Sequence, residues 1–309
     1  MSSRIVIIGS GGRLGAALMR EYRDRFDITG FNHAQLDLGH AEKLREKLSP
    51  LDFDVLINCA AFTNVDLCQK EREQAFRINA EAPRLLAEIC RAKNARLIHF
   101  STDYVFDGEK REPYVESDPA NPISVYGESK RAGEEKVLAV HDRHLVVRVS
   151  WVFGPDRPSF IDAVIKRARE NEHVEAIADK FATPTYTKDI AAMFEAVVAG
   201  IGDPGGPILD RGKAGVNDSS YRGILHFANA GECSWQEYAQ HALDCCHKLG
   251  VPLKARTVAP LKLSDMKNFI ARRPVYSVLS TSKFNALAGA PPRSWQDAVA
   301  EYVRSYFCA

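Results

Sequence analysis

The chain has 309 residues, 45% hydrophobic and 26% charged, with 41 Lys plus Arg against 40 Asp plus Glu. That length allows one large domain or two ordinary ones with a real apolar core, and a net charge of +1 speaks against broad binding to nucleic acid or an anionic membrane. No apolar run nears the roughly 18 residues of a membrane span, the apolar stretch after Arg4 is shorter than the about 7–15 residues of a signal-peptide core, and seven cysteines without a Cys-x-x-Cys pair suggest a reducing, cytoplasmic setting.

Hydrophobic patterning predicts a strand over Arg4–Gly9, a helix over Gly12–Arg25, a strand over Asp27–Phe31 and a helix over Ala41–Leu48. It continues with a strand over Asp54–Cys59, a long helix over Glu71–Ala92, a strand over Arg96–Ser101, a helix over Tyr126–Val140 and a strand over Leu145–Ser150. Strands that are apolar throughout, each followed by a helix, predict a parallel sheet covered on both faces: an α/β, Rossmann-like, doubly wound fold. Further helices are expected at Phe160–Glu170, Lys188–Val198, Trp235–Leu249 and Trp295–Phe307, and Gly200–Gly215 reads as a surface loop. The division expected is a dinucleotide-binding domain over 1–155 and a smaller, mainly substrate-binding domain over 156–309, with some elements returning to the first.

Gly9, Gly12 and Gly15 lie between the first strand and the first helix. Glycines there permit a tight turn and close approach of a pyrophosphate, and the helix N-terminus offers free N–H groups to phosphate. Gly9, Gly12, Arg13, Leu14 and Gly15 are therefore candidate cofactor contacts. An acidic residue ending the second strand would select NAD, but Gly30-Phe31-Asn32-His33 has none. Arg13 is either a partner for a 2′-phosphate or a solvated surface charge. The balance favours NADPH, with NADH tolerated.

Tyr126 and Lys130 stand at i and i+4, one turn apart on one helix face. Carbonyl reduction needs a proton for the forming alkoxide. A phenol can supply it if a nearby ammonium lowers its pKa, and the Thr102 hydroxyl can orient the carbonyl.

Several segments, in order, resemble the dTDP-4-dehydrorhamnose reductases, a family of extended short-chain dehydrogenase/reductases. They are Asn58-Cys59-Ala60-Ala61-Phe62-Thr63-Asn64-Val65-Asp66, Asn79-Ala80-Glu81-Ala82-Pro83 and Ser101-Thr102-Asp103-Tyr104-Val105-Phe106-Asp107-Gly108. Arg148 to Gly154, Pro184 to Thr187, Ser234-Trp235 and Arg272-Arg273-Pro274 continue the match. The two-residue gap between Gly9 and Gly12 fits the same superfamily. The resemblance implies reduction of the 4-keto group of a nucleotide-activated 6-deoxyhexose, as in dTDP-L-rhamnose and polysaccharide biosynthesis. It implies that Thr102, Tyr126 and Lys130 are catalytic, that Tyr126 and Lys130 also meet the cofactor, and that Asp37 and Leu38 contact adenine or ribose. Ala60, Ala61 and Thr63 would line the nicotinamide side. Thr102, Val65, Tyr104 and Trp151 would meet the sugar, and Arg273 would hold the diphosphate or else pair with an acidic neighbour. Trp151 is alternatively a core residue.

The resemblance carries departures and alternatives. Where the family often has Asp-Gln-x-Gly-x-Pro-Thr, this chain has Lys180 and Ala182 in place of the Gln and Gly, and Ser159 replaces an Asn. Dehydratases of the superfamily usually read Thr-Asp-Glu, whereas here it is Thr102-Asp103-Tyr104. An epimerase, or a cofactor-binding regulatory subunit like that of methionine adenosyltransferase, stays open. The partners expected are a nucleotide-sugar substrate and a second copy in a homodimer, with no nucleic acid and no membrane. His241 and Cys245 could share a metal, but packing is the simpler reading, and no metal site is expected.

Overall fold

A computed structural model describes residues 3–199 and 221–308. The expected Gly200–Gly215 loop lies outside the described residues. The first part alternates as the pattern predicts: β1 (Arg4–Ile8), α1 (Arg13–Tyr22), β2 (Asp27–Phe31), α2 (Ala41–Leu48) and β3 (Val55–Asn58). Then come α3 (Val65–Lys70), α4 (Arg72–Phe76), α5 (Ala82–Ala92), β4 (Arg96–Thr102), α6 (Val125–Val140) and β5 (Leu145–Val149).

The expected single helix over Glu71–Ala92 is instead α4, a π-helical turn at Arg77–Glu81, and α5. Pro83 has no N–H to offer the Asn79 carbonyl, and its ring crowds the preceding turn. Widening that turn relieves the conflict. The same turn buries the Asn79 side chain, which matters for the site.

The later chain forms β6 (Val152–Phe153), α7 (Phe160–Glu170), β7 (Val174–Ile177), β8 (Phe181–Ala182), β9 (Thr185–Tyr186), α8 (Thr187–Ala199) and β10 (Gly223–Phe227). It ends with β11 (Cys233–Ser234), α9 (Trp235–Lys248), β12 (Val258–Leu261), α10 (Ser282–Ala288) and α11 (Trp295–Phe307). Six strands make one wholly parallel sheet in the order β10-β5-β4-β3-β1-β2.

The alternation of β1 feeds two cores. Ile5 and Ile7 pack with Leu14 and Leu18 of α1 and Ile190 and Phe194 of α8. Val6 and Ile8 pack with Leu44 and Leu48 of α2 and Leu85 and Leu86 of α5. A third core, rich in aromatics, joins α7, α9 and α11 through Phe153, Tyr186, Tyr238, Trp295 and Tyr302. Two late elements serve the main sheet: β10 extends its edge beside β5, and α8 lies against α1. Strand order reverses between β1 and β3, and an open α/β sheet leaves its crevice at such a point, beyond the carboxyl ends of the strands.

Candidate functional site

A cleft of about 1030 Å³ opens there, walled on one side by the strand ends and on the other by residues of α7 and α9. Gly9, Gly12, Arg13 and Leu14 line it together with Ala60, Ala61 and Thr63. Gly9 has φ +81°, and a Cβ there would fall 2.8 Å from the Ala60 nitrogen. Gly15 stands behind the loop, where a Cβ would lie 2.2 Å from the Gly9 carbonyl oxygen. The loop thus demands glycine at both positions and holds β1 tight against α1. No side chain caps α1 at Gly12, so its first N–H groups remain available to an anion. A cradle without side chains at an uncapped helix N-terminus fits the pyrophosphate of a dinucleotide.

The ends of β2 and β6 finish this half. Asn32, His33 and Ala34 line the cleft, as does Arg157. Arg13 was expected to face a 2′-phosphate or solvent, but its guanidinium donates to three carbonyls across the cleft mouth: Arg157 at 3.2 Å, Val152 at 3.2 Å and Pro158 at 2.5 Å. Arg157 returns the contact, its Nε donating to Gly11 O at 2.9 Å. Just beyond, Leu38 is buried in the core beneath α2, and Asp37 Oδ1 accepts the Gly39 N–H at 2.8 Å. Those residues turn the chain toward α2, and Asn32 to Ala34 take the exposed strand end.

β4 and α6 bring Thr102, Tyr126 and Lys130 together. Ser124 caps α6 by accepting the Gly127 N–H at 3.2 Å, which sets the first turn and so the phenol. Burial holds the Tyr126 phenol well above its ordinary value, partly offset by a hydrogen bond with the Thr102 hydroxyl. Thr102 Oγ1 donates to Asp103 Oδ1 at 3.1 Å and accepts from the Tyr104 N–H at 3.2 Å. Lys130 is buried, and its ammonium donates to Phe100 O at 2.7 Å rather than to the phenol. Burial brings Lys130 down to about 8. Its Nζ also lies 3.3 Å from His99 Nε2. Asn58 Oδ1 accepts the Ala60 N–H, which leaves the Asn58 amide nitrogen to donate to His99 Nδ1 at 3.1 Å. Asn79 secures the facing loop: Phe62 N–H donates to its Oδ1 at 2.8 Å, and its Nδ2 donates to Phe62 O and to Ser129 Oγ, each at 3.0 Å.

The far half of the cleft is aromatic. The Tyr104 and Tyr126 rings meet edge to face at 5.6 Å, and Trp151 meets Trp235 at 5.6 Å. Val65, Phe160 and Tyr238 also line this half. Trp151 has φ +38°, a costly conformation for a bulky residue and one that clusters at functional sites. Arg273 is not in the wall. Its guanidinium is paired with Asp66 at 2.7 Å, the second of the two arrangements the sequence allowed. Among the described residues no group of three metal-ligating side chains occurs; His241 Nε2 meets Cys245 Sγ at 3.5 Å and Gln296 O at 3.2 Å.

The family model "RmlD substrate binding domain" matches residues 3–308. The chain belongs to this RmlD family. A dTDP-4-dehydrorhamnose reductase of Mycolicibacterium smegmatis is 34% identical, covering 98% of this chain and 86% of its own. A probable dTDP-4,6-dihydroxy-2-methyloxan-3-one 4-ketoreductase of Streptomyces antibioticus is 33% identical over 96% of this chain and 94% of its own. The crystal structure of a Bacillus anthracis dTDP-4-dehydrorhamnose reductase in complex with NADP superposes with a TM-score of 0.86 at 30% identity, covering 99% of this chain and 100% of that one.

The three departures of this RmlD chain from the family pattern sit in different places. Ser159 lines the cleft and starts α7, its N–H and Oγ both bonded to Asp162 Oδ2 at 2.6 Å. Ala182 is buried in the β8–β11 pair. Lys180 is wholly buried behind the aromatic half. The sequence reading missed Asn32, Phe160, Tyr238 and Arg157 of the RmlD cleft. Asn32 and Phe160 were legible as a strand end and a helix start; Tyr238 and Arg157 reach the wall only through tertiary packing.

Proposed function

We propose that this chain is an NADPH-dependent reductase of the 4-keto group of a nucleotide-activated 6-deoxyhexose, a dTDP-4-dehydrorhamnose reductase. The observation that carries the reading is Thr102, Tyr126 and Lys130 at the meeting of the glycine cradle and the aromatic half of one cleft. The glycine loop, the first turn of α1 and the Ala60–Thr63 wall would hold the dinucleotide, which supplies a hydride when bound.

Tyr126 is the acid. A phenol held above its ordinary pKa by burial is fully protonated in the resting protein, and it gives that proton to the oxygen at carbon 4 as the alkoxide forms. The incoming carbonyl takes the place that Thr102 holds beside the phenol, and Thr102 then orients the carbonyl. Lys130, one turn further along α6 in the same wall, stabilises the phenolate left behind and holds a ribose hydroxyl. Tyr104 and Trp151 offer apolar faces to the deoxy edge of the sugar. In the position where a dehydratase would carry a second carboxylate stands Tyr104, which speaks against dehydration. The same reading carries a cytoplasmic setting, in keeping with seven cysteines that form no disulfide.

The test is turnover: NADPH oxidation with a dTDP-4-keto-6-deoxyhexose, with the product identified as the 4-hydroxy sugar. Cofactor binding without oxidation across a panel of such sugars would instead favour a binding subunit.

A further inference from the structure

Lys180 lies in the turn that leads into β8, and its side chain is completely buried. A buried ammonium is costly unless hydrogen bonds and an opposite charge compensate it. Its Nζ donates to Pro274 O at 2.8 Å and stands 5.2 Å from the Tyr104 ring centre and 5.8 Å from that of Trp151. Lys180 does not line the cleft, whereas both rings do.

Its counter-charge is Asp103, also buried. Asp103 Oδ1 accepts from Thr102 Oγ1 at 3.1 Å. Oδ2 accepts from Ser150 Oγ at 3.0 Å and from Ser277 Oγ at 2.6 Å. Ser277 N–H in turn donates to Phe181 O at 2.9 Å, next to Lys180 itself. The segment carrying Pro274 and Ser277 is therefore tied to the Lys180 turn and to Asp103 together.

We propose that Lys180 is a positioning residue for the keto-reduction: through the Pro274–Ser277 segment its buried charge holds Asp103 in place to orient the Thr102 hydroxyl, and it fixes the Tyr104 and Trp151 rings as one wall of the sugar site. The proposal rests on the reductase reading above. An uncharged Gln, the residue the family pattern leads one to expect here, could reach Pro274 O but could not offset Asp103. Burial already raises the Asp103 carboxyl, and Lys180 is the charge that opposes this, helped by the hydroxyls of Ser277, Ser150 and Thr102. The other charge acting on Lys180 is Arg273, which disfavours its ammonium form.

The experiment compares wild type, K180Q and K180M in the full chain, with a dTDP-4-keto-6-deoxyhexose and NADPH between about pH 6 and 9. NADPH affinity is read separately by fluorescence. Both variants are expected to bind NADPH as wild type does and to lose about 10–100-fold in kcat, the scale of a small misplacement of reacting groups. Without the lysine, Asp103 takes up its proton at higher pH, so the rising acid limb of kcat in K180Q shifts to higher pH. A K180Q kcat within about twofold of wild type, or a loss with an unshifted acid limb, overturns the proposal. So does failure of both variants to fold, which would make Lys180 a stability residue only. A wild type that binds NADPH yet reduces no such sugar overturns the functional reading, and this role with it; a turning-over wild type beside an equally fast K180Q overturns Lys180 alone.

Discussion

Asp66 on α3 grips Arg273 at two points, Oδ2 accepting from Nη2 at 2.7 Å and Oδ1 from Nη1 at 3.2 Å. The same Oδ1 accepts the N–H groups of Ile270 and Ala271, each at 2.9 Å. One carboxylate thus closes a loop from the C-terminal half onto the start of α3, next to Val65 in the cleft wall. Phe269 completes the clasp beneath the guanidinium at 3.6 Å.

The Arg273 guanidinium holds the Asp66 carboxyl down to about 2, from an ordinary 3.8. A lowered folded-state value means that the stabilisation is full above the unfolded pKa and fades as pH falls from about 4 toward 2. Asp66→Asn should cost about 1–2 kcal/mol at neutral pH. Thermal melts of both proteins at pH 6 and pH 3 check this: the gap in Tm should narrow at the lower pH, and a constant gap would refute the assignment. With the loop released, KM for the sugar nucleotide should rise several-fold while NADPH affinity holds.

Tyr126→Phe removes the proposed acid and its hydrogen bond with the Thr102 hydroxyl and keeps the ring. The loss in kcat should be about 10²–10⁴-fold. Melting temperature and NADPH affinity should stay near wild type, and a near-normal kcat in a folded, cofactor-binding protein would show that the proton comes from elsewhere. Thr102→Val should cost less, because it removes orientation of the carbonyl and leaves the proton donor in place.

Much of this site is legible in the amino-acid sequence. The period of the apolar residues gave the strands and helices, because β1, β3, β4 and β5 are buried on both faces and the helices that cover them on one. The glycines mark the cradle because only the absence of a Cβ lets Gly9 lie against Ala60. Tyr126 and Lys130 are four apart on a helix, a relation that sequence spacing encodes directly. Arg13, Arg273 and Lys180 were harder. Their partners are the carbonyls of residues 152–158, Asp66 and Pro274, brought near by tertiary packing with no periodic trace. The break before α5 was visible only as Pro83, and the π-turn it produces decides where Asn79 points.

Lys130 makes a prediction about pH. Burial lowers its ammonium to about 8, so the charged form dominates below that value and is lost above it. If the ammonium stabilises the phenolate, kcat/KM should fall as pH rises through about 8, and Lys130→Met should remove that limb along with most of the rate. Lys180 is lowered by burial to about 8 as well, so the assignment needs K180Q as a control. A descending limb that survives in K180Q but not in the Lys130 variant belongs to Lys130; one that persists in both belongs to another group.

Two arginines stand at the glycine loop with different partners. Arg13 spends Nε and both terminal nitrogens on the carbonyls of Arg157, Val152 and Pro158, so it straps the 152–158 segment over the glycine loop. Arg157 donates its Nε to Gly11 O, and its Nη2 lies 3.9 Å from where a Cβ on Gly11 would sit. The Asn32 side chain approaches the same point to 3.2 Å, at the strand end where a 2′-phosphate is read in dinucleotide folds. Arg157→Ala should therefore weaken NADPH by about tenfold or more and leave NADH nearly unchanged, the loss of one charge-assisted contact. Arg13→Ala should loosen the strap and weaken both cofactors alike. Titration of each variant with NADPH and with NADH, followed by nicotinamide fluorescence, decides between them. If Arg13→Ala alone lowers the NADPH to NADH ratio, the strap assignment is wrong and Arg13 is the residue that meets the 2′-phosphate.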